Sequence, residues 1–257
     1  MSAWSPAHYL QFADERGRAA RDLLANVPLD NPAGVVDLGC GPGNSTELLA
    51  GRFPDAALLG VDSSAEMLAD ARKRLPQASF IEADVARWAP GGSVDLIYAN
   101  ALFQWVPDHL SVLARLLETL PAGGVLAVQV PDNFEEPSHR LMAEIAEDAK
   151  WRDRLMDAEA ARDPIPAPSE YYNRLALLSS RIEIWHTVYN HVLDGAGAIA
   201  RFFGSTGLRP YLAPLDDVER AAFLAEYERR AAIAYPALTD GRVLLRFPRL
   251  FVVAVRA

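Results

Sequence analysis

The chemistry of this sequence gathers around Asp62. It closes the apolar run Leu58-Leu59-Gly60-Val61. About 20 residues before it lies Val35-Val36-Asp37-Leu38-Gly39-Cys40-Gly41-Pro42-Gly43-Asn44-Ser45-Thr46. That stretch reads as a buried strand, a tight turn and the N-terminus of a helix. A short β-branched run suits a parallel strand, and glycines let the backbone turn sharply and approach a ligand that a Cβ would keep away. Asn44 or Ser45 can cap the helix. An acid at the tip of the second strand is placed to accept hydrogen bonds from both ribose hydroxyls of a nucleoside lying across the first two strands. The spacing Gly-x-Gly-x-Gly differs from the Gly-x-Gly-x-x-Gly that brings a pyrophosphate to a helix N-terminus, and no Gly-x-x-x-x-Gly-Lys-Ser/Thr loop is present. The ligand these residues describe is a nucleoside without phosphates.

Other chemistries are narrowed by composition. Cys40, the one cysteine, has no His near it in sequence and reads as a small residue packed in the turn rather than a nucleophile. A lone cysteine forms no internal disulfide and fits a reducing cytoplasm, and Met1-Ser2-Ala3-Trp4-Ser5-Pro6 has neither the charged start nor the apolar stretch of a signal peptide. No run of about 18 apolar residues exists, so no membrane span is expected. The five His residues lack metal-ligand spacing, and no metal site is expected. With 257 residues, 51% hydrophobic and 23% charged, the chain can bury one substantial core with room for an appended element. A net charge of −9 argues against a nucleic-acid footprint, yet it allows a small anionic substrate held by a local basic pocket.

The elements that must position these residues follow from periodicity. Pro6 to Ala25 has helical spacing, with a break expected near Gly17; it can lie over the crevice as a lid carrying Trp4, His8, Tyr9 and Arg16, or simply pack against the domain. Ser63-Ser64-Ala65-Glu66 is read as a capping box opening a helix with Met67, Leu68, Ala71 and Leu75 on its inner side. Ser79 to Val85 is a third strand with Asp84 at its end, and Val94 to Asn100 a fourth. The loop beyond it runs Ala101-Leu102-Phe103-Gln104-Trp105. A helix over 108–120 stops at Gly123-Gly124, and Val125 to Val130 is strand five. Ile182 to Val192 alternates as a sixth strand, Asp216 to Ala234 is a long helix, and Val243 to Val255 is a last strand expected to pair antiparallel at the sheet edge. Between them, 134–176 carries charged helix, a Pro-rich loop and Tyr171-Tyr172. It is read as a substrate-side insertion too short to hold its own core.

Val-Asp-Leu-Gly-Cys-Gly-Pro-Gly with the downstream Asp62 resembles the first two motifs of class I S-adenosylmethionine-dependent methyltransferases; a nicotinamide enzyme or a cofactor-free Rossmann-like domain is the alternative. The resemblance implies an α/β, Rossmann-like fold with a mostly parallel seven-stranded sheet and helices on both faces. It implies S-adenosyl-L-methionine as cofactor, with Asp37, Gly39, Cys40, Gly41 and Asn44 around the turn and Asp62 and Ser63 at the ribose. Met67, Asp84 and Val85 would lie at the adenine, and Asn100 and Arg16 at the methionine portion. Further runs extend the likeness over the full length, 1–257, as one methyltransferase domain with 1–30 as the lid. These are Trp4 through Tyr9 with Arg16, Ala99 to Trp105, Val130 to Asn133 with Glu136 to His139, Ile184-Trp185, Thr206 to Pro210 and Phe247 to Phe251. Together they resemble bacterial trans-aconitate 2-methyltransferases, which implies methyl esterification of one carboxylate of a small unsaturated tricarboxylic acid. Enzymes that esterify a carrier-bound malonyl group share the cofactor half and remain the runner-up. A sulfonium methyl is already electrophilic and an ionised carboxylate needs no base, so no catalytic residue is assigned; the two further carboxylates call for cations and donors. Candidates on the acceptor side are His8, Tyr9, Gln104, Trp105, Tyr171, Tyr172, Arg209 and Arg249.

Overall fold

The structure, a computed structural model, describes residues 13–156, 158, 164–204 and 206–257, with side chains from Gly17 onward. Its strands are β1 (Gly34–Leu38), β2 (Ala57–Asp62), β3 (Ser79–Glu82), β4 (Leu96–Asn100), β5 (Val125–Pro131), β6 (Ser179–Leu193) and β7 (Val243–Arg256). They form one seven-stranded sheet in the order β3-β2-β1-β4-β5-β7-β6. The pairs from β3 through β5 are parallel and β7 runs antiparallel to β5. The direction in which successive strands are added reverses at β1, with β2 on one side and β4 on the other. That is the switch point at which an open α/β sheet leaves room for a ligand.

The apolar runs explain the interior strands. β5 is buried at every position, as expected of a strand covered on both faces. One face of the sheet, through Val36, Leu38, Ile97, Val128, Val130, Leu250 and Val252, packs against Leu113, Leu116 and Leu117 of α4 (His109–Glu118) and Tyr171 and Leu175 of α7 (Pro168–Leu175). The alternate residues Asp37, Tyr98, Gln129 and Phe251 project from the other face, where Tyr98 Oη donates to the Ala20 carbonyl of α1 (Ala13–Ala25) at 2.6 Å. α1 runs unbroken through Gly17. A helical glycine costs about 1 kcal/mol relative to alanine, and burial of Ala19, Ala20, Leu23 and Leu24 outweighs it. The part of the expected lid before residue 13 lies outside the described residues.

The last strand is not the edge strand. It sits between β5 and β6, because Phe247 to Ala254 is buried without alternation, whereas β6 exposes His186, Val188, Asn190 and Val192 and buries Tyr189, His191 and Leu193. A one-sided strand tolerates the edge; a two-sided apolar one does not. The helix caps also differ from expectation. Gly43 rather than Asn44 or Ser45 precedes α2 (Asn44–Arg52), and Ser64 rather than Ser63 caps α3 (Ala65–Arg74), its hydroxyl accepting from Met67 N. β3 ends at Glu82, short of Asp84.

Two compact units divide the chain. One comprises residues 16–131, 165–187 and 249–257 and contains the switch point. In the other, residues 132–164 and 188–248 carry α5 (Pro137–Ala146), α6 (Arg152–Leu155), α8 (Ala196–Gly204), α9 (Arg209–Leu212) and α10 (Asp217–Ala234). This unit has a core of its own. His139 meets Phe203 edge-on at 4.9 Å, Phe202 meets Phe247 at 5.6 Å and Trp151 meets Phe223 at 5.6 Å. Tyr227 Oη donates to the Ser138 carbonyl at 3.0 Å, and Ser138 N donates to Tyr235 Oη at 2.9 Å. The stretch 134–176 is therefore not one element: its first part gains a core by joining α8 and α10, and its remainder forms α7 over α4.

Candidate active site

The turn after β1 is held by the end of β2. Gly39 N and Cys40 N both donate to the Val61 carbonyl, at 2.7 and 3.1 Å. Asp62 then reaches across: its Oδ2 accepts from Gly41 N and its Oδ1 from Ser64 N, each at 2.9 Å. A carboxylate offers about four lone-pair sites, so Asp62 keeps capacity for two ribose hydroxyls while fixing the glycine turn. Asp37 is buried below the turn, with Oδ2 accepting from Ser45 Oγ at 2.7 Å and Thr46 Oγ1 at 2.6 Å. Burial pushes its carboxyl up to about 7 against the opposing effect of those two hydroxyls, with the Asp62 charge adding to the rise.

The two leading glycines have different reasons to be glycine. Gly39, at φ 67°, has its side-chain space filled by Leu102, whose Cδ1 lies 2.7 Å from where a Cβ would stand. Gly41, at φ 52°, faces open space with nothing within 4 Å of that point. Gly41 is thus the position where an absent Cβ leaves room for a ligand. Cys40 contributes its backbone; its thiol packs with Leu68, Ala71 and Phe80, where burial and the negative charges of Asp37 and Asp62 raise its pKa and keep it protonated. Asn44 is half-buried as the first residue of α2, Ser63 is exposed and Met67 is half-buried. Asp84 is exposed in the turn after β3, accepting from Ala86 N at 2.9 Å, and Val85 beside it is buried.

At the end of β4, Asn100 is followed by Ala101 in a left-handed conformation, φ 57°. Such a conformation is disfavoured for alanine and recurs where a chain is held for function. Gln104 braces it: Nε2 donates to the Ala101 carbonyl at 2.7 Å, so the side chain is buried rather than lining a wall. Asn100 Oδ1 and Gln104 Oε1 are both buried without a hydrogen-bond partner among the described residues. Trp105 is 43% exposed.

The aromatic pair separates. Tyr171 is fully buried in the apolar face and shares a 2.7 Å hydrogen bond with His109 Nε2, which removes it from the acceptor set. Tyr172 is exposed on α7. Helical geometry puts neighbouring residues on different faces, and the adjacent Tyr-Tyr pattern concealed this. Arg249 is buried on β7 and donates from Nη1 to Gln129 Oε1 at 3.1 Å. Arg209 is exposed at the start of α9, in the other unit. His8, Tyr9 and the Arg16 side chain lie outside the described residues. Sequence reasoning passed over Leu102, Ala101 and Gln129. Only Gln129 had a signal, as the one polar residue inside Val125-Leu126-Ala127-Val128-Gln129-Val130. Among the described residues no cluster of three or more His, Cys, Asp or Glu is disposed to hold a metal ion, and no helix is long and apolar enough to cross a membrane.

The sheet order, the glycine turn with room at Gly41 and the acid closing β2 define a class I S-adenosylmethionine-dependent methyltransferase. A family model described as a methyltransferase domain matches residues 35–124. The chain is 58% identical to the trans-aconitate 2-methyltransferase of Rhodopseudomonas palustris strain HaA2 over 256 residues, covering 100% of both chains. It is 53% identical over 259 residues to that of Paracidovorax citrulli, again with 100% of both covered. The chain belongs to the trans-aconitate 2-methyltransferase family. Among solved structures, the YcgJ protein from Bacillus subtilis superposes with a TM-score of 0.59 at 12% identity, covering 93% of this chain and 97% of that one. Geranyl diphosphate C-methyltransferase from Streptomyces coelicolor, solved with S-adenosyl-L-homocysteine, gives 0.52 at 17% identity over 93% and 75%. These two likenesses concern the fold.

Proposed function

We propose that this chain forms a monomethyl ester on one carboxylate of trans-aconitate or a similar small polycarboxylate. The observation that carries the reading is identity of 58% over 256 residues, the full length of both chains, to a relative of that name. When bound, S-adenosyl-L-methionine supplies an electrophilic methyl on a sulfonium. Asp62 accepts from the ribose hydroxyls, the space at Gly41 admits the nucleoside, and Asn100 Oδ1 offers an acceptor to the methionine ammonium. Asp84, Val85 and Met67 lie at the adenine end. The acceptor carboxylate is already ionised at neutral pH and needs no base, so what remains for the protein is alignment, exclusion of water and anchoring of the other carboxylates. Trp105, Tyr172, Arg209, Arg249, His8 and Tyr9 are the candidates for that anchoring. A cytoplasmic setting, with no nucleic-acid or membrane partner, belongs to the same reading.

A screen of free di- and tricarboxylates and a malonyl carrier with labelled cofactor tests it. Labelling of trans-aconitate without labelling of the carrier is the expected result, and the reverse overturns the assignment. At saturating cofactor the rate should stay flat from about pH 6 to 8, since unperturbed carboxylates near pKa 4 are ionised throughout. A steep rise governed by one group near pH 7 would indicate a hydroxyl or amine acceptor.

A further inference from the structure

Asp84 stands at the adenine end in the reading above, and the turn that follows β3 holds its side chain. Its Oδ1 accepts from Ala86 N at 2.9 Å. Its backbone carbonyl accepts from Arg87 N at 3.0 Å and from Trp88 N at 2.9 Å, which closes the turn. These bonds use the N–H groups of the turn, so the carbonyls of Ala86 and Trp88 have to be paired from elsewhere. One side chain pairs both. Arg115 Nη1 donates to the Trp88 carbonyl at 2.6 Å, and Nη2 donates to the Ala86 carbonyl at 3.0 Å.

Arg115 comes from the last turn of α4, 27 residues beyond Trp88 and 29 beyond Ala86. A basic residue in that turn suits the helix dipole, but the dipole does not account for a guanidinium that spans two carbonyls of another loop. α4 gives it a rigid base. Leu113, Leu116 and Leu117 are buried against the sheet, and Val85 and Trp88 of the turn enter the same apolar cluster. Two apolar side chains thus dock the turn on the cluster, and a planar fork of donors orients it. Arginine carries such a fork; a lysine ammonium is a single point charge.

We propose that Arg115 is a positioning residue for adenine recognition. By holding the Ala86 and Trp88 carbonyls it fixes Ala86 N, and Ala86 N orients the Asp84 carboxylate through Oδ1. The other oxygen, Oδ2, lies 4.0 Å from Nε of the exposed Arg87 and keeps lone pairs for the exocyclic amine of the adenine. An amine donates there, whereas the carbonyl of a hypoxanthine base would oppose the carboxylate, so a site oriented this way discriminates against the deaminated nucleoside. The proposal rests on the placement of Asp84 at the adenine.

Arg115→Met tests it, because it removes both donors and keeps an unbranched side chain on the helix. The competent turn then becomes a fraction of the population, and S-adenosylhomocysteine should bind about fivefold more weakly by calorimetry. S-Inosylhomocysteine, which has a carbonyl in place of the amine, should change by less than about twofold, so the preference for adenine falls. At saturating cofactor, kcat and the KM for trans-aconitate should stay within about twofold. Equal loss for both nucleosides, or an unchanged preference, overturns the proposal and leaves Arg115 a purely structural tie. Should Arg115→Met fail to fold, Arg115→Lys, which keeps the charge and loses the fork, should lower the preference in the same direction, and an unchanged preference overturns it. Asp84→Ala is the separate check on the placement of Asp84: an adenine preference that survives this change would instead overturn the reading on which the proposal stands.

Discussion

Replacing Gly41 by alanine separates ligand space from fold integrity, because Gly41 and Gly39 differ in what surrounds them. At Gly41 a Cβ meets nothing within 4 Å, so the folded state suffers only the left-handed backbone at φ 52°. That conformation costs an L-residue about 1–2 kcal/mol. In a chain of this size the loss lowers the melting temperature by roughly 2–4 °C per kcal/mol. At Gly39 the same methyl would stand 2.7 Å from Leu102 Cδ1 and 3.0 Å from its Cβ, so Leu102 has to shift as well as the backbone being strained. Gly39→Ala should therefore be the more destabilised of the two. The ranking for cofactor is different. An added methyl in space that the ligand occupies costs about 1–3 kcal/mol of overpacking, so Gly41→Ala should weaken S-adenosylhomocysteine binding by about tenfold or more, about 1.4 kcal/mol per decade. Calorimetric titration beside thermal unfolding reads both quantities. A Gly41→Ala protein that melts within a few degrees of wild type and binds the cofactor product equally well would show that the nucleoside does not lie over this turn.

The remaining expectations are shorter. Asp37 has a folded-state pKa near 7 against 3.8 when unperturbed. Between those values the folded protein keeps a proton that the unfolded chain releases, so this group's contribution to stability declines as pH rises from about 4 to 7. Asp37→Asn should accordingly lose less melting temperature than wild type between pH 5 and 8, and equal slopes would refute the burial argument. Tyr171→Phe removes the hydrogen bond to His109 and should cost about 1 kcal/mol in denaturant unfolding with KM for trans-aconitate unchanged; a raised KM would restore the tyrosine to the acceptor site. Arg209→Gln should raise that KM about tenfold, as for loss of a charged contact of about 1.5–3 kcal/mol, and leave S-adenosylhomocysteine affinity within about twofold. No change in either would move the anion anchor to other cations.

What could be read from the sequence was what is local. The β-branched run into Asp37, the glycine turn and Asp62 lie within one β-α-β unit, and short-range sterics dictate such a unit almost completely. Strand order at the far side was not legible in the same way. Whether β6 or β7 takes the edge depends on which one is covered on both faces, and that is a statement about neighbours distant in sequence. A sign was nevertheless present. Phe251-Val252-Val253-Ala254 does not alternate and Ile184 to Asn190 does, so the rule that distinguishes a covered strand from an edge strand was applicable before the structure was known.

The site shows the same division at finer grain. Asp62 was placed by its position at a strand tip, but its second task, clamping Gly41 N and Ser64 N, needs the three-dimensional turn. Tyr171 and Tyr172 looked equivalent as a pair, and only the packing of α7 against α4 decides that one hydroxyl meets His109 in the core while its neighbour faces outward. Gln129 illustrates the converse. A glutamine in an otherwise apolar, fully buried strand is a desolvation cost that burial by itself would not sustain. Its partner Arg249 comes from 120 residues away in the chain, so the sequence displays the anomaly without its reason. A polar residue that breaks an apolar period at the carboxyl end of a parallel strand is thus best treated as a site residue until its partner is found, because that edge of the sheet is where this fold puts its ligand.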